Sequence, residues 1–218
     1  MRQLDKNKFL ARVWVESMNK LLISLLISVG ITGMAHAAGG DATAGSQKVA
    51  VCAACHGADG NSPMGAFPSL AGQSSRYLLK QMQDQLSGER VILEMTGMLD
   101  GFTERDLRDI ATFYSRQTPT IGQTPADQLE LGRQIYRAGI AEKGVAACAA
   151  CHMPSGQGNN PARFPALSGQ HPEYTVSQLK KFASEERQND PSRMMRDIAV
   201  KMSEAEMQAV AHYIRGLH

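Results

Sequence analysis

The sequence predicts an all-α protein in which one unit of about ninety residues is written twice behind a leader. Three observations carry this. Cys52-Ala53-Ala54-Cys55-His56 returns ninety-six positions later as Cys148-Ala149-Ala150-Cys151-His152. Phe67-Pro68-Ser69-Leu70-Ala71-Gly72-Gln73 returns as Phe164-Pro165-Ala166-Leu167-Ser168-Gly169-Gln170, and Tyr77 and Gln81 return as Tyr174 and Gln178, all at an offset of 97. Apolar residues fall at helical spacing throughout, with no alternating run that reads as a strand.

The leader comes first. Lys20 precedes an apolar run from Leu21 to Met34, and Ala35-His36-Ala37 fits the small-x-small rule for cleavage before Ala38. That run has fourteen residues, whereas a helix crossing the hydrocarbon needs about 20. Residues 1–37 therefore read as a cleaved signal peptide, which places the mature chain in the periplasm. Met18-Asn19-Lys20 would itself open an ordinary signal, so residues 1–17 read as lying upstream of the true start.

Cleavage leaves 181 residues, room for two small domains but not for a large enzyme. The leader takes five basic and two acidic residues with it, leaving 18 basic against 19 acidic, which gives no basic footprint for nucleic acid. Residues 38–118 carry seven basic and nine acidic groups and residues 126–218 eleven and ten, a modest dipole able to orient docking on a charged partner. Between them, residues 119–125 belong to an uncharged stretch rich in Pro, Gly and Thr and read as a linker.

Within the first copy, 38–118, Asp41 or Thr43 can cap a helix running into the first Cys pair. Ser74 or Ser75 can start another with Tyr77, Leu78, Met82 and Leu86 on one stripe, and Thr103-Glu104-Arg105-Asp106 opens a third carrying Leu107, Ile110, Phe113 and Tyr114. The second copy, 126–218, answers with helices over 126–138, 172–185 and 203–216, the last opened by a capping box, Ser203 to Glu206. Gly45 corresponds to Gly132 on the opening helix of each copy. A glycine there would let first and last helices cross closely, with Phe113 or Tyr213 facing it.

A Cys-x-x-Cys-His run reads as a site of covalent haem attachment, with two thiols for the two vinyl groups and a histidine under the iron. Cys52, Cys55, Cys148 and Cys151 use up the cysteines of the chain, leaving none to complete a separate zinc or dithiol site. Two haem c groups are thus expected, with His56 and His152 on the irons. Pro68 and Pro165 are candidates to offer each histidine a backbone carbonyl, or are simply turn prolines.

The second axial ligand decides between a carrier and a catalyst, because an open iron face binds small ligands whereas a His/Met iron is closed. Met95 lies eight residues before Thr103 and Met195 eight before Ser203, both expected in the loop or turn that crosses the face opposite the histidine. Met98 pairs with Ile198 and Met194 with Glu94, so neither rival is present in both copies. Met64, Met82, Met153, Met202 and Met207 read as packing or surface residues. Arg76, Arg90, Arg163 and Arg193 could face haem propionates, though a solvated state suits any one of them better. His171, His212 and His218 lack counterparts and read as surface or packing residues.

These two units, each with Phe-Pro-x-Leu-x-Gly-Gln after its Cys-x-x-Cys-His, together with Leu93-Glu94-Met95-Thr96-Gly97-Met98-Leu99 and the closing Tyr213-Ile214-Arg215-Gly216-Leu217-His218, resemble the diheme cytochrome c4 family over the whole mature chain. The Ser87–Ile92 stretch is shorter than in that family's pattern. The resemblance implies two class I cytochrome c domains related by a pseudo-twofold duplication. It implies axial pairs His56/Met95 and His152/Met195, and a monomeric, soluble or loosely membrane-associated carrier. Its membrane partners would be a quinol-cytochrome c oxidoreductase and a terminal oxidase. A one-electron carrier without catalytic residues is the leading expectation; a diheme peroxidase-like enzyme is the alternative, and a haem sensor or a fixed subunit of a larger complex is a third class.

Overall fold

Short polar side chains open helices by accepting the N–H groups that the first turn leaves unpaired. In the computed structural model, which describes Trp14 and residues 39–218, Asp41 Oδ1 accepts the Thr43 N–H at 2.8 Å and opens α1 (Ala42–Ser46). A turn closed by Lys48 N–H on Gly45 O separates it from α2 (Ala50–His56), so the one helix expected into the first Cys pair is two short ones. Ser74 caps α3 (Ser75–Ser87), which ends at Gly88 in the left-handed conformation. Thr103 and Asp106 form a full capping box at the start of α4 (Glu104–Ser115).

The second half repeats the order with α5 (Ala126–Ala138), α6 (Ala149–His152), α7 (Pro172–Ala183), α8 (Met194–Ala199) and α9 (Glu204–Arg215). The Ser203–Glu206 capping box forms as expected. The helix expected over 172–185 stops at Ala183, because Glu185 takes φ +61. Among the described residues no strand forms, only the isolated bridges Ile140–Val145 and Asn159–Phe164. No helix there is long and apolar enough to cross a membrane. Trp14 aside, the leader expected over 1–37 lies outside the described residues.

In each half the opening helix crosses the closing one, α1 on α4 and α5 on α9. The crossing is close enough to need glycine. A Cβ on Gly45 would stand 2.2 Å from Asp109 O and 2.9 Å from Phe113 Cβ, and one on Gly132 would stand 2.3 Å from Ala209 O and 2.6 Å from Tyr213 Cβ. Around these crossings lie two cores. Val49, Leu78, Ile110, Ala111 and Tyr114 form the first, and Ile135, Tyr136, Val145, Met202, Met207, Val210, Tyr213, Ile214 and Leu217 the second. Met202 and Met207 are therefore packing residues, as read from the sequence. Leu86 departs from its expected stripe and is exposed, because the face of α3 that is buried carries Leu78, Gln81 and Asp84 instead.

Residues 40–218 form one compact unit in which the halves meet across a polar seam. The uncharged connector is pinned at both ends. Thr120 N–H reaches Asn61 Oδ1 at 2.7 Å and Gly122 N–H reaches Arg215 O at 2.9 Å, while Arg215 also bonds Gly169 O. Gly72 lies against Pro119 and Gly169 against Thr120 and Ile121, so equivalent glycines of the two halves seat successive connector residues.

Candidate haem sites

Within α2 the two cysteines are three apart and His56 follows, which brings Cys52 and Cys55 to one side of a helix that ends on the histidine. The chain must then turn back sharply. Gly57 does so at φ +78, and in the second half Met153 occupies the equivalent place at φ +68 and ψ 156, a region nearly restricted to glycine. Tyr136 Oη, donating to Met153 O at 2.7 Å, holds that strained peptide from the core.

Both histidines are buried at 7% exposure. His56 Nδ1–H donates to Pro68 O at 2.9 Å and His152 Nδ1–H to Pro165 O at 2.9 Å, which fixes each ring and leaves Nε2 with its lone pair free to bind a metal. Burial lowers the pKa of both imidazoles, against the pull of the proline carbonyls, so both rings are neutral at pH 7. Phe67 meets His56 edge-on and Phe164 lies against His152, their ring centres 6.4 and 6.3 Å away. Burial also pushes the Cys52 thiol up and the Cys148 thiol up to about 11.

A cavity of about 530 Å³ runs through both halves, lined by Cys52, Cys55 and His56 and by Cys148, Cys151 and His152. Met95 and Met195 both line it, as do Met82, Met194 and Met202, whereas Met98 does not and is 44% exposed. Met95 ends a single 3-10 turn, Leu93–Met95. Met195 sits in the first turn of α8, where the sequence left a loop or a turn open. The cause is Asp190, whose Oδ2 accepts the Met195 and Arg196 N–H groups at 2.9 and 3.1 Å and so starts a helix there. From Arg90 to Met95 is five residues and from Arg187 to Met195 eight, so the capping aspartate belongs to a three-residue excess of the second copy.

Where the halves meet, the lining is polar and twofold. Arg90 donates to Gln81 Oε1 (2.6 Å), Tyr174 Oη (3.0 Å) and Gln178 Oε1 (3.1 Å); Arg187 donates to Gln178 Oε1 (2.8 Å), Tyr77 Oη (3.1 Å) and Gln81 Oε1 (3.1 Å). Arg90 is thus not a solvated arginine: it is 7% exposed, and Arg187 9%. Arg76 and Arg163 are exposed, and Arg193 pairs with Glu185 at 2.6 Å. His171 Nε2–H donates across the seam to Ser62 O at 2.9 Å, and the Ser62 hydroxyl in turn donates to Cys55 O at 2.7 Å. Residue types did not single out Arg187. The offset of 97, already seen in Tyr77/Tyr174 and Gln81/Gln178, extends to Arg90/Arg187 and was the available signal.

The residues fit a haem in each half. Each cleft has its thiol pair and a neutral histidine with one nitrogen committed to a carbonyl. The cavity also holds two buried guanidinium groups, neither paired with a carboxylate among the described residues, a charge balance suited to an anionic porphyrin.

A family model described as cytochrome c matches residues 42–115 and again 129–218. The chain is 51% identical over 211 residues to cytochrome c4 of Azotobacter vinelandii, covering 92% of this chain and all of that one. A thiosulfate dehydrogenase electron acceptor of Thiomonas intermedia is 36% identical over 174 residues, 77% of this chain and 78% of its own. The solved structure of reduced recombinant cytochrome c4 from Pseudomonas stutzeri matches with a TM-score of 0.81 at 47% identity, covering 82% of this chain and all of that one. With two cytochrome c domains, and with Cys52/Cys55 and Cys148/Cys151 fitting two covalently bound haem c groups, the chain belongs to the cytochrome c4 family of diheme electron-transfer cytochromes.

Proposed function

We propose that the protein is a periplasmic one-electron carrier between a quinol-oxidising complex and a terminal oxidase or reductase, with no catalytic residue of its own. In this reading His56 and Met95 would hold the first haem iron, and His152 and Met195 the second. Bound haem c supplies a reversible one-electron couple at iron. The chain's own residues would do the rest: each cysteine pair would tether the group, a neutral histidine is oriented by a proline carbonyl, and the apolar part of the cavity lining would keep water from the iron.

The observation that carries the reading is that Met95 and Met195, equivalent in the two copies, line the same cavity as the two histidines. Met202 is committed to the second core and Met82 packs against the first, while Met194 is 37% exposed and answers to Glu94 in the first copy. The periplasmic location is supported by the signal-like leader and by the attachment of haem c outside the bacterial cytoplasm. The name of the Thiomonas relative, an electron acceptor for a dehydrogenase, supports electron uptake from a redox enzyme.

Exposure of the purified ferrous protein to carbon monoxide at neutral pH tests closure of both irons. No binding, with rapid reduction by a quinol-oxidising complex and rapid oxidation by a terminal oxidase, is the expected result. Ready binding at both haems, or fast peroxide turnover by the half-reduced protein, would replace the carrier with a peroxidase-like enzyme.

A further inference from the structure

The repeated Phe-Pro-x-Leu-x-Gly-Gln motif ends in a glutamine that neither tethering nor ligation uses. Gln73 and Gln170 are buried at 6% and 8% exposure, and each crosses the seam. Gln170 Oε1 accepts the Ser69 N–H at 2.9 Å and Gln170 Nε2 donates to Ser69 O at 2.9 Å. Gln73 Oε1 accepts the Ala166 N–H at 2.8 Å and Gln73 Nε2 donates to Ala166 O at 2.9 Å. Each carboxamide oxygen also takes the N–H of the residue that follows it, Ser74 or His171, which locks its rotamer.

The Ser69 N–H belongs to the same peptide group as Pro68 O, and the Ala166 N–H to the same group as Pro165 O. Those two oxygens accept the Nδ1–H of His56 and His152. One planar amide therefore receives the histidine of its own half on its oxygen and the glutamine of the other half on its nitrogen. We propose that Gln73 and Gln170 are crossed positioning residues, each setting how strongly the opposite half's histidine donates to its iron. The proposal rests on the reading of His56 and His152 as iron ligands.

Hydrogen bonds in a chain polarise one another. An amide whose N–H is engaged by a carbonyl oxygen carries more negative charge on its own oxygen, and that oxygen draws harder on the imidazole Nδ1–H. A histidine so held is a more basic ligand, which favours the ferric state and lowers the potential. The lever acts across the seam: Gln170 governs the first haem and Gln73 the second.

The test is a redox titration of the holoprotein with Gln170→Leu and Gln73→Leu. The ring Nδ1–H signals are followed by proton NMR in the reduced state and assigned through Phe67 for His56 and Phe164 for His152. Gln170→Leu is expected to raise the first haem's potential and move the His56 signal upfield while the second haem stays put; Gln73→Leu is expected to do the reverse. Gln170→Glu keeps an oxygen for the Ser69 N–H and should leave the first potential at or below its starting value.

A downward shift in the leucine variants would mean that water has entered a loosened cleft. Joint movement of both haems would mean general seam damage, and a shift of the variant's own half or no shift at all would mean no crossed effect. Each of these outcomes overturns the proposal. Failure of the underlying ligand reading would appear earlier and differently, as the absence of a histidine-ligated low-spin spectrum in the unsubstituted protein.

Discussion

Arg90 and Arg187 share two acceptors: both guanidinium groups donate to Gln81 Oε1 and both donate to Gln178 Oε1. Two buried cations converging on the same neutral oxygens repel each other and support the same bonds. Removal of either one relieves repulsion and leaves the acceptors satisfied by the other, while removal of both orphans Gln178 Oε1 and leaves Gln81 Oε1 only the Asn189 Nδ2–H, at 2.9 Å. A double-mutant cycle with Arg90→Met and Arg187→Met, read by thermal unfolding of the holoprotein, should show the double variant losing more than the sum of the singles, by about 0.5–3 kcal/mol. Simple additivity would mean that the two arginines act independently.

Met95→Ala and Met195→Ala are each expected to abolish half of the ferric methionine-sulfur absorption band and to lower the potential of one haem, since loss of the thioether removes a ligand that favours ferrous iron. Met98→Leu and Met194→Leu should leave both spectrum and potential in place. A band halved by Met194→Leu would transfer the ligand to that residue.

The helix crossings give a stability prediction that opposes helix propensity. Alanine in a helix is favoured over glycine by about 1 kcal/mol, yet at Gly132 the new Cβ would fall 2.3 Å from Ala209 O. Because backbone cannot swing aside as a side chain can, Gly132→Ala and Gly45→Ala should each destabilise by roughly 1–3 kcal/mol. Chemical denaturation of both variants measures this; a gain in stability would show that the crossing can open without loss.

Met153 offers the opposite sign. A non-glycine residue in its backbone region stores about 1–3 kcal/mol, and the first copy places Gly57 at the corresponding turn. Met153→Gly should raise the melting temperature in spite of glycine's greater chain entropy, with spectra unchanged. A fall in stability would show that the methionine side chain contributes more packing than the turn stores as strain.

Lys48 joins Asp106 at 2.7 Å and Asp109 at 2.6 Å, tying α4 to the segment between α1 and α2. The Lys48 hydrogen bond, with help from Thr103, holds Asp106 well below the usual carboxylate range. At Asp109 burial works upward, but the Lys48 and Asp41 N–H bonds outweigh it and the carboxyl is again held low. Acids whose folded pKa is depressed contribute stability above their unfolded value of 3.8 and lose it as the pH falls through the folded one. Lys48→Met should therefore lower the melting temperature at pH 7, with the difference shrinking only as the pH drops below 3.8. A difference unchanged at the acid limit would show that the lysine acts through packing and not charge.

Legibility followed the physics of each feature. Caps are local, so Thr103 and Ser203 could be read directly, whereas Gly45 and Gly132, and the proline carbonyls twelve residues after His56 and thirteen after His152, came into view because the duplication repeats them. The seam could not be read directly. Hydrophobic periodicity puts Leu86 on the buried face of α3, whereas the structure buries Gln81 and Asp84 there, because what covers that face is another polar surface and not a core. That the turn at Met195 opens a helix depends on Asp190, in a stretch the first copy does not contain.

The join between the halves is sealed by carboxamides that reach backbone and by guanidinium groups that reach carboxamide and phenol oxygens. A surface of that kind tolerates water, because each polar group it would expose on parting can be satisfied there. Doubling such a gene asks for no new oily patch and carries little risk of clumping while the match is imperfect.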